Sequence, residues 1–185
     1  MDLAERAGRW TLADLVDLPE GNRYEVIDGN LIVSPPPTPW HQMVGTALLV
    51  QLVSQCPSAW RAIYETYLDY GGDGRVPDLL VVRADALLDR RQLAYSPDAV
   101  GLVVEIVSPS SRRTDRLAKP AEYAEAGIPV MWRVELEPEV VVHPFRLVSG
   151  AWLPEERVVD RGPIAVPWGL IELDLTGLPP LPSRP

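Results

Sequence analysis

Leu102-Val103-Val104-Glu105-Ile106-Val107 is an almost unbroken apolar run interrupted by one carboxylate. Its length and β-branched content predict a strand covered on both faces, the signature of a sheet interior flanked by other layers. Val76-Pro77-Asp78-Leu79-Leu80-Val81-Val82 predicts a second core strand with Asp78 at its start. The aromatic and β-branched segment from Ala62 to Tyr70 is read as the strand before it, across the loop Gly71-Gly72-Asp73-Gly74. Downstream, Arg113 to Ala126 has helical composition, with Gly127 at the stop position and Pro129 beyond. Val130-Met131-Trp132-Arg133-Val134 is the next strand, so a strand–helix–strand crossover joins two neighbours, right-handed by the usual rule.

Outward from this centre, Asp28-Gly29 between Tyr24-Glu25-Val26-Ile27 and Asn30-Leu31-Ile32-Val33 is a hairpin signal, because a primed turn needs positive φ at both positions. Pro35 to Pro39 is a stiff connector. From His41 to Gln55, Val44, Leu48 and Leu52 fall at helical spacing. Near the N-terminus, Thr11 to Asp14 has the form of a capping box and opens a short helix ended by Pro19 and Gly21. In the C-terminal part, Val140–His143, Arg146–Val148 and Ala151–Val159 predict short strands with a turn at Ser149-Gly150. The expected fold class is α/β (α+β): a mixed central sheet flanked by helices, with extra antiparallel hairpins. One domain of 185 residues is expected, with an N-terminal helical cover (1–22), a core (23–136), a β-meander (137–176) and a proline-rich tail (177–185).

The single cysteine, Cys56, forms no intramolecular disulfide and points to a reducing compartment, the cytoplasm by default. The start Met1-Asp2-Leu3-Ala4-Glu5-Arg6 lacks the pattern of a signal peptide, and no apolar stretch reaches spanning length, so a membrane role is not expected. A net charge of −9 argues against an extended phosphate-gripping surface. It is compatible with a cleft whose carboxylates hold a divalent cation, which reverses the local sign. Between Ser110 and Lys119, Arg112, Arg113, Arg116 and Lys119 face only Asp115, a local basic patch suited to nucleic-acid contact.

The chemistry rests on few residues. Glu105 inside an apolar strand needs a cation, a proton or several hydrogen bonds; the alternative is an edge glutamate facing solvent or an arginine. Asp78 is alternatively a turn residue following Pro77. A divalent metal shared by Asp78 and Glu105 satisfies both, and oxygen ligands suit Mg²⁺ or Mn²⁺. Lys119 falls with Asp115 and Tyr123 at i, i−4 and i+4 on one helix face and would bring positive charge to a scissile phosphate; alone it is a solvated helix residue. Pro120 disfavours helical geometry at Lys119, so the helix is expected to begin properly only after it. Glu25 reads by alternation as an outward-facing strand residue, and His41 as a packing or capping residue at a helix start. With only His41 and His143, no zinc site is expected. The glycine loop lacks Walker or Rossmann spacing, and Ser108-Pro109-Ser110-Ser111 lacks the nucleophile elbow.

Taken in order, Tyr24-Glu25-Val26-Ile27-Asp28-Gly29, Ser34-Pro35-Pro36 with His41, Val76-Pro77-Asp78, Val104-Glu105-Ile106-Val107-Ser108-Pro109-Ser110, Asp115 to Lys119 to Tyr123, and Ala126-Gly127-Ile128-Pro129 with Trp132 resemble the bacterial Uma-two family of restriction endonucleases. That family belongs to the PD-(D/E)XK superfamily, and the resemblance covers about Tyr24 to Val134. It implies a restriction-endonuclease-like core with Asp78 and Glu105 as metal ligands and Lys119 as catalytic lysine. Glu25 and His41 match further family positions and are implied to line the same cleft. The chain departs from the commonest superfamily pattern at Val107, where the lysine usually stands, so that role passes to Lys119. The implied activity is a Mg²⁺- or Mn²⁺-dependent endonuclease acting on DNA. Two alternatives stand beside it: a nuclease fold kept as a binding or assembly module, and hydrolysis of another phosphodiester. Six Trp and six Tyr leave room for an aromatic self-contact, and a homodimer suits cleavage of two strands.

Overall fold

The computed structural model describes residues 8–88, 90–108 and 113–178. Arg23–Ile27 (β1) and Asn30–Ser34 (β2) form the expected hairpin. Asp28 (φ 52°) and Gly29 (φ 73°) supply its primed turn. Helix α1 spans Pro39–Gln55; the Thr38 hydroxyl accepts from the His41 N–H at 3.3 Å and Pro39 occupies the first turn.

The segment expected as one strand over Ala62 to Tyr70 is two. Trp60–Tyr64 (β3) ends at Glu65, whose φ of 42° turns the chain, and Tyr67–Asp69 (β4) enters a different sheet. Gly74–Arg75 (β5) and Leu79–Arg83 (β6) are likewise separated, because Pro77 has no N–H to continue a ladder. There follow Ala94–Tyr95 (β7), Val100–Ile106 (β8), Val130–Glu135 (β9), Val141–Val148 (β10), Ala151–Pro154 (β11), Arg161–Val166 (β12) and Gly169–Asp174 (β13). Strand β10 runs straight through Pro144, where the two short strands Val140–His143 and Arg146–Val148 were expected.

Helix α2 spans Lys119–Glu125, and a wider π turn, Thr114–Ala118, leads into it. Lys119 is itself helical (φ −57°, ψ −45°), against the expectation from Pro120. The π turn explains this. A proline ring clashes with the carbonyl four residues back, and here the ladder slips by one, with the Lys119 N–H donating to the Thr114 carbonyl.

Among the described residues three sheets form. The central one has the order β11-β10-β9-β8-β6-β3 and is mixed: β8 and β9 are parallel across the α2 crossover, and the other pairs are antiparallel. A second sheet has the order β2-β1-β5-β4-β7, and β12 with β13 forms a third. All seven residues of β8 are buried. On one face of the central sheet, Val81, Leu102, Val104, Ile106 and Trp132 pack against Val44, Leu48 and Leu52 of α1 and Ile164 and Ile171 of the C-terminal hairpin. On the other, Leu80, Val103 and Met131 meet Leu68, Tyr95, Tyr123 and Ile128. The N-terminal segment lays Trp10, Leu12, Leu15 and Leu18 on Tyr24 and Val26.

Helix α1 also grips the outer strand of the C-terminal hairpin through two side-chain amides. Gln51 donates to the Asp174 carbonyl at 2.9 Å and accepts from its N–H at 2.7 Å. Gln55 does the same at Glu172, at 3.0 and 2.8 Å.

Gly101 in β8 lies under an indole pair, Trp60 and Trp168, whose ring centroids are 4.8 Å apart. A methyl group there would come within 2.5 Å of the Trp60 ring and 2.9 Å of Trp168. Gly101→Ala is therefore expected to destabilise the protein by about 1–3 kcal/mol through overpacking. Urea unfolding measures this, and a midpoint unchanged from wild type would show that the indoles move aside freely.

Candidate active site

Strand alternation puts the two central carboxylates on one face. Leu79 pairs with Val104, so one step further along the antiparallel register Asp78 stands opposite Glu105. Leu80 and Val103, two residues from each, both face the Tyr123 side of the sheet. Asp78 and Glu105 are each only 1 % exposed.

Each has been satisfied by specific donors. Asp78 Oδ1 accepts from Arg23 Nη2 at 2.8 Å, and Oδ2 accepts from the Ile106 N–H at 2.6 Å. Glu105 Oε2 accepts from Lys119 Nζ at 2.8 Å, and Oε1 accepts from the Tyr123 hydroxyl. The ammonium of Lys119 therefore points into the cluster, 3.6 Å from Asp115 and 3.7 Å from Glu25. The i, i+4, i+8 spacing of Asp115, Lys119 and Tyr123 survives the π turn well enough to deliver all three to one place, each of them buried.

Glu25 and His41 join this cluster, correcting the outward and packing readings. Glu25 is buried; its Oε1 accepts from the Val76 N–H at 2.9 Å, and Arg75 lies 3.6 Å from Oε2. The strand alternation of Glu25 is real, but both faces of β1 are covered where it meets β5. The imidazole Nε2–H of His41 donates to the Ile106 carbonyl at 3.1 Å and lies 3.4 Å from Asp78. The basic patch does not assemble there. Arg116 is spread on the surface in a two-bond pair with Glu135, Arg113 is exposed, and Arg112 lies outside the described residues.

Arg23, Arg75, Glu65 and Glu122 went unnoticed in the sequence. Arg23 also donates to Glu65 at 2.5 Å, and Arg75 makes two bonds to Glu122. The only sequence signal was proximity: Arg23 two residues before Glu25 on the same strand face, and Arg75 three before Asp78.

The environments drive the two carboxylates apart. Burial alone would raise Asp78, but the His41 bond and the Arg23 guanidinium outweigh it and hold the carboxyl down at about 2. Burial pushes Glu105 up to about 8; Lys119 opposes the rise, and the charges of Asp78 and Asp115 add to it. Burial works against the Lys119 ammonium, yet Glu105, Glu25 and Asp115 together hold its pKa above the ordinary lysine value.

These facts test whether a divalent cation fits. Among the described residues no three His, Cys, Asp or Glu side chains converge as a ready cage. The charge balance leaves a place for one. Of four buried carboxylates, Glu25, Glu105 and Asp115 share Lys119 and Asp78 has Arg23 and His41 beside it, while Arg23 and Arg75 each divide their charge with a further carboxylate outside. The available donors are oxygens, with the Ile106 carbonyl beside Asp78, a set suited to Mg²⁺ or Mn²⁺. Burial is the main reason Glu105 stays high, and a cation bound beside it would draw its carboxyl down.

The Uma2 family, described as "Putative restriction endonuclease", matches residues 12–176. Among solved structures, one described as a "putative nuclease belonging to DUF820 from Anabaena variabilis ATCC 29413" superposes with a TM-score of 0.62 at 20 % identity, covering 85 % of this chain and 89 % of that chain. At this identity the likeness concerns the fold. No curated protein matches.

Proposed function

The chain belongs to the Uma2 family, and we propose that it is a nuclease hydrolysing phosphodiester bonds in DNA with Mg²⁺ or Mn²⁺ held by Asp78 and Glu105. The observation that carries this reading is the pairing of those two carboxylates on one sheet face with the Lys119 ammonium 2.8 Å from Glu105. A bound divalent cation supplies a Lewis acid and a water acidic enough to attack near neutral pH. The chain's own groups do the rest. Lys119 stays charged and stands where negative charge develops on a phosphate. Tyr123 fixes one oxygen of Glu105, and His41 with the Ile106 backbone orients Asp78. Delivery of the lysine by α2 leaves the position after Ile106 free to be the apolar Val107, which is buried.

Arg112 and Arg113 are proposed as phosphate contacts, with Arg116 available only if it leaves Glu135. A cytoplasmic homodimer, presenting two sites to two strands, completes the reading. No helix among the described residues is long and apolar enough to cross a membrane. A second reading has one observation in its favour: every carboxylate of the cluster already has a partner within the chain, which suits a fold retained as a binding module.

The test is direct. Purified protein with Mn²⁺ or Mg²⁺ is expected to cut supercoiled plasmid or single-stranded DNA, to stop when the metal is chelated, and to lose cutting in Asp78→Ala. Cutting that persists undiminished in Asp78→Ala would place the chemistry elsewhere. DNA retained without cutting at any divalent concentration would favour the binding module.

A further inference from the structure

Asp78 is 1 % exposed, so a cation or a phosphate must reach it past a neighbour. That neighbour is Arg23, whose side chain is 17 % exposed. Among the described residues it reaches both its partners, Glu65 at 2.5 Å and Asp78 at 2.8 Å, through the single nitrogen Nη2. Its Nε and Nη1 are left for a second ligand, and a guanidinium with two nitrogens to spare is shaped for a phosphate.

Arg23 and Glu65 line a cavity of about 340 Å³ together with Gln42, Tyr67, Val76 and Pro37. A larger cavity of about 590 Å³ lies on the Arg75 side, but Asp69, Asp73, Glu122 and Glu125 line it, and Arg75 is already doubly bonded to Glu122. A phosphodiester is repelled there. On the Arg23 side the acids are Glu65 and, behind it, Asp78, and Asp78 is the group that a cation would neutralise.

We propose that Arg23 is an exchangeable latch on Asp78: a divalent cation arriving at Asp78 displaces the guanidinium, which keeps Glu65 and turns its free donors to a phosphodiester oxygen in the 340 Å³ cavity. A singly charged guanidinium 2.8 Å from a carboxylate oxygen competes with a cation for the same charge. Metal and substrate binding are then linked through one side chain, and the linkage is reciprocal. Arg23 is a positioning residue in this scheme before substrate arrives, and a substrate contact afterwards. The proposal rests on the nuclease reading above, and its test separates the two.

Mn²⁺ binding is measured by calorimetry without DNA, and binding of a fluorescent single-stranded oligonucleotide by anisotropy with Ca²⁺ or with chelator. Arg23→Gln is expected to bind Mn²⁺ about 3–10-fold more tightly than wild type, because the competing charge is gone. Wild type is expected to bind the oligonucleotide at least about 5-fold more tightly with Ca²⁺ than without, and Arg23→Gln to gain less than about 2-fold. A merely structural arginine would loosen both ligands in the variant, and that result overturns the latch. So does an unchanged Mn²⁺ affinity in Arg23→Gln. Should that variant fail to fold, Arg23→Lys decides: it keeps the charge and loses the fork, so the Ca²⁺ gain is expected to fall to under half of the wild-type value, and a full gain overturns the proposal. Wild type that binds no divalent cation overturns the nuclease reading and the latch together, whereas Mn²⁺ binding without the Arg23 effects removes the latch alone.

Discussion

Glu105→Gln is expected to cut DNA on the order of 10³-fold more slowly than wild type while keeping its fold, a loss of about 4 kcal/mol in transition-state stabilisation. The substitution is close to isosteric. Glu105 takes one bond at each oxygen, from Lys119 and from the Tyr123 hydroxyl. A glutamine turns its carbonyl to Lys119 and donates its amide to the Tyr123 oxygen, which accepts equally well. What is removed is the second carboxyl on the sheet face, the one that would give up its proton to a cation, and without it Asp78 alone must hold the ion. First-order rates on supercoiled plasmid with saturating Mn²⁺ measure the effect, and thermal unfolding checks the fold. A folded variant within tenfold of wild type would show that Glu105 is not a ligand.

The second large effect concerns stability. Lys119→Met removes the one ammonium shared by Glu105, Asp115 and Glu25, at 2.8, 3.6 and 3.7 Å. Breaking a buried ion pair by deleting one partner costs about 3–5 kcal/mol. The lower part of that range is expected, because Glu105 already tends to hold a proton and can neutralise itself further. Mn²⁺ is expected to restore part of the loss, since a cation binding only the folded state stabilises it by mass action. Urea titrations with and without Mn²⁺ read both quantities. A Lys119→Met protein within 1 kcal/mol of wild type would mean that the carboxylates are compensated by groups other than Lys119.

The parts of this site that were legible in the sequence are those expressed by local pattern. Glu105 stands out because it breaks an apolar run, and Asp28-Gly29 dictates its turn through backbone sterics. The grouping of Asp115, Lys119 and Tyr123 follows from helical spacing. Other features depend on partners far along the chain. Nothing around Arg23 announces Asp78, 55 residues away, and Glu25 looks outward until β5 arrives to cover it. The break at Glu65 was invisible because a non-glycine residue at positive φ carries no compositional mark. The π turn was hidden for a related reason: Pro120 shows that something must yield, but not that the ladder slips while the lysine stays helical. The residues Arg161 to Asp174 lay inside the stretch expected as one meander, and they form instead a separate hairpin held by α1.

That hold has a consequence for how the molecule behaves in a crowd. A two-stranded ribbon normally presents a row of bare N–H and C=O groups on which any extended chain can dock, the first step towards aggregation. On β13 the groups of Glu172 and Asp174 are occupied by the amides of Gln51 and Gln55, which imitate a neighbouring strand from the side of a helix. Two glutamines thus occupy this stretch of the β13 edge and close it to a stranger's backbone.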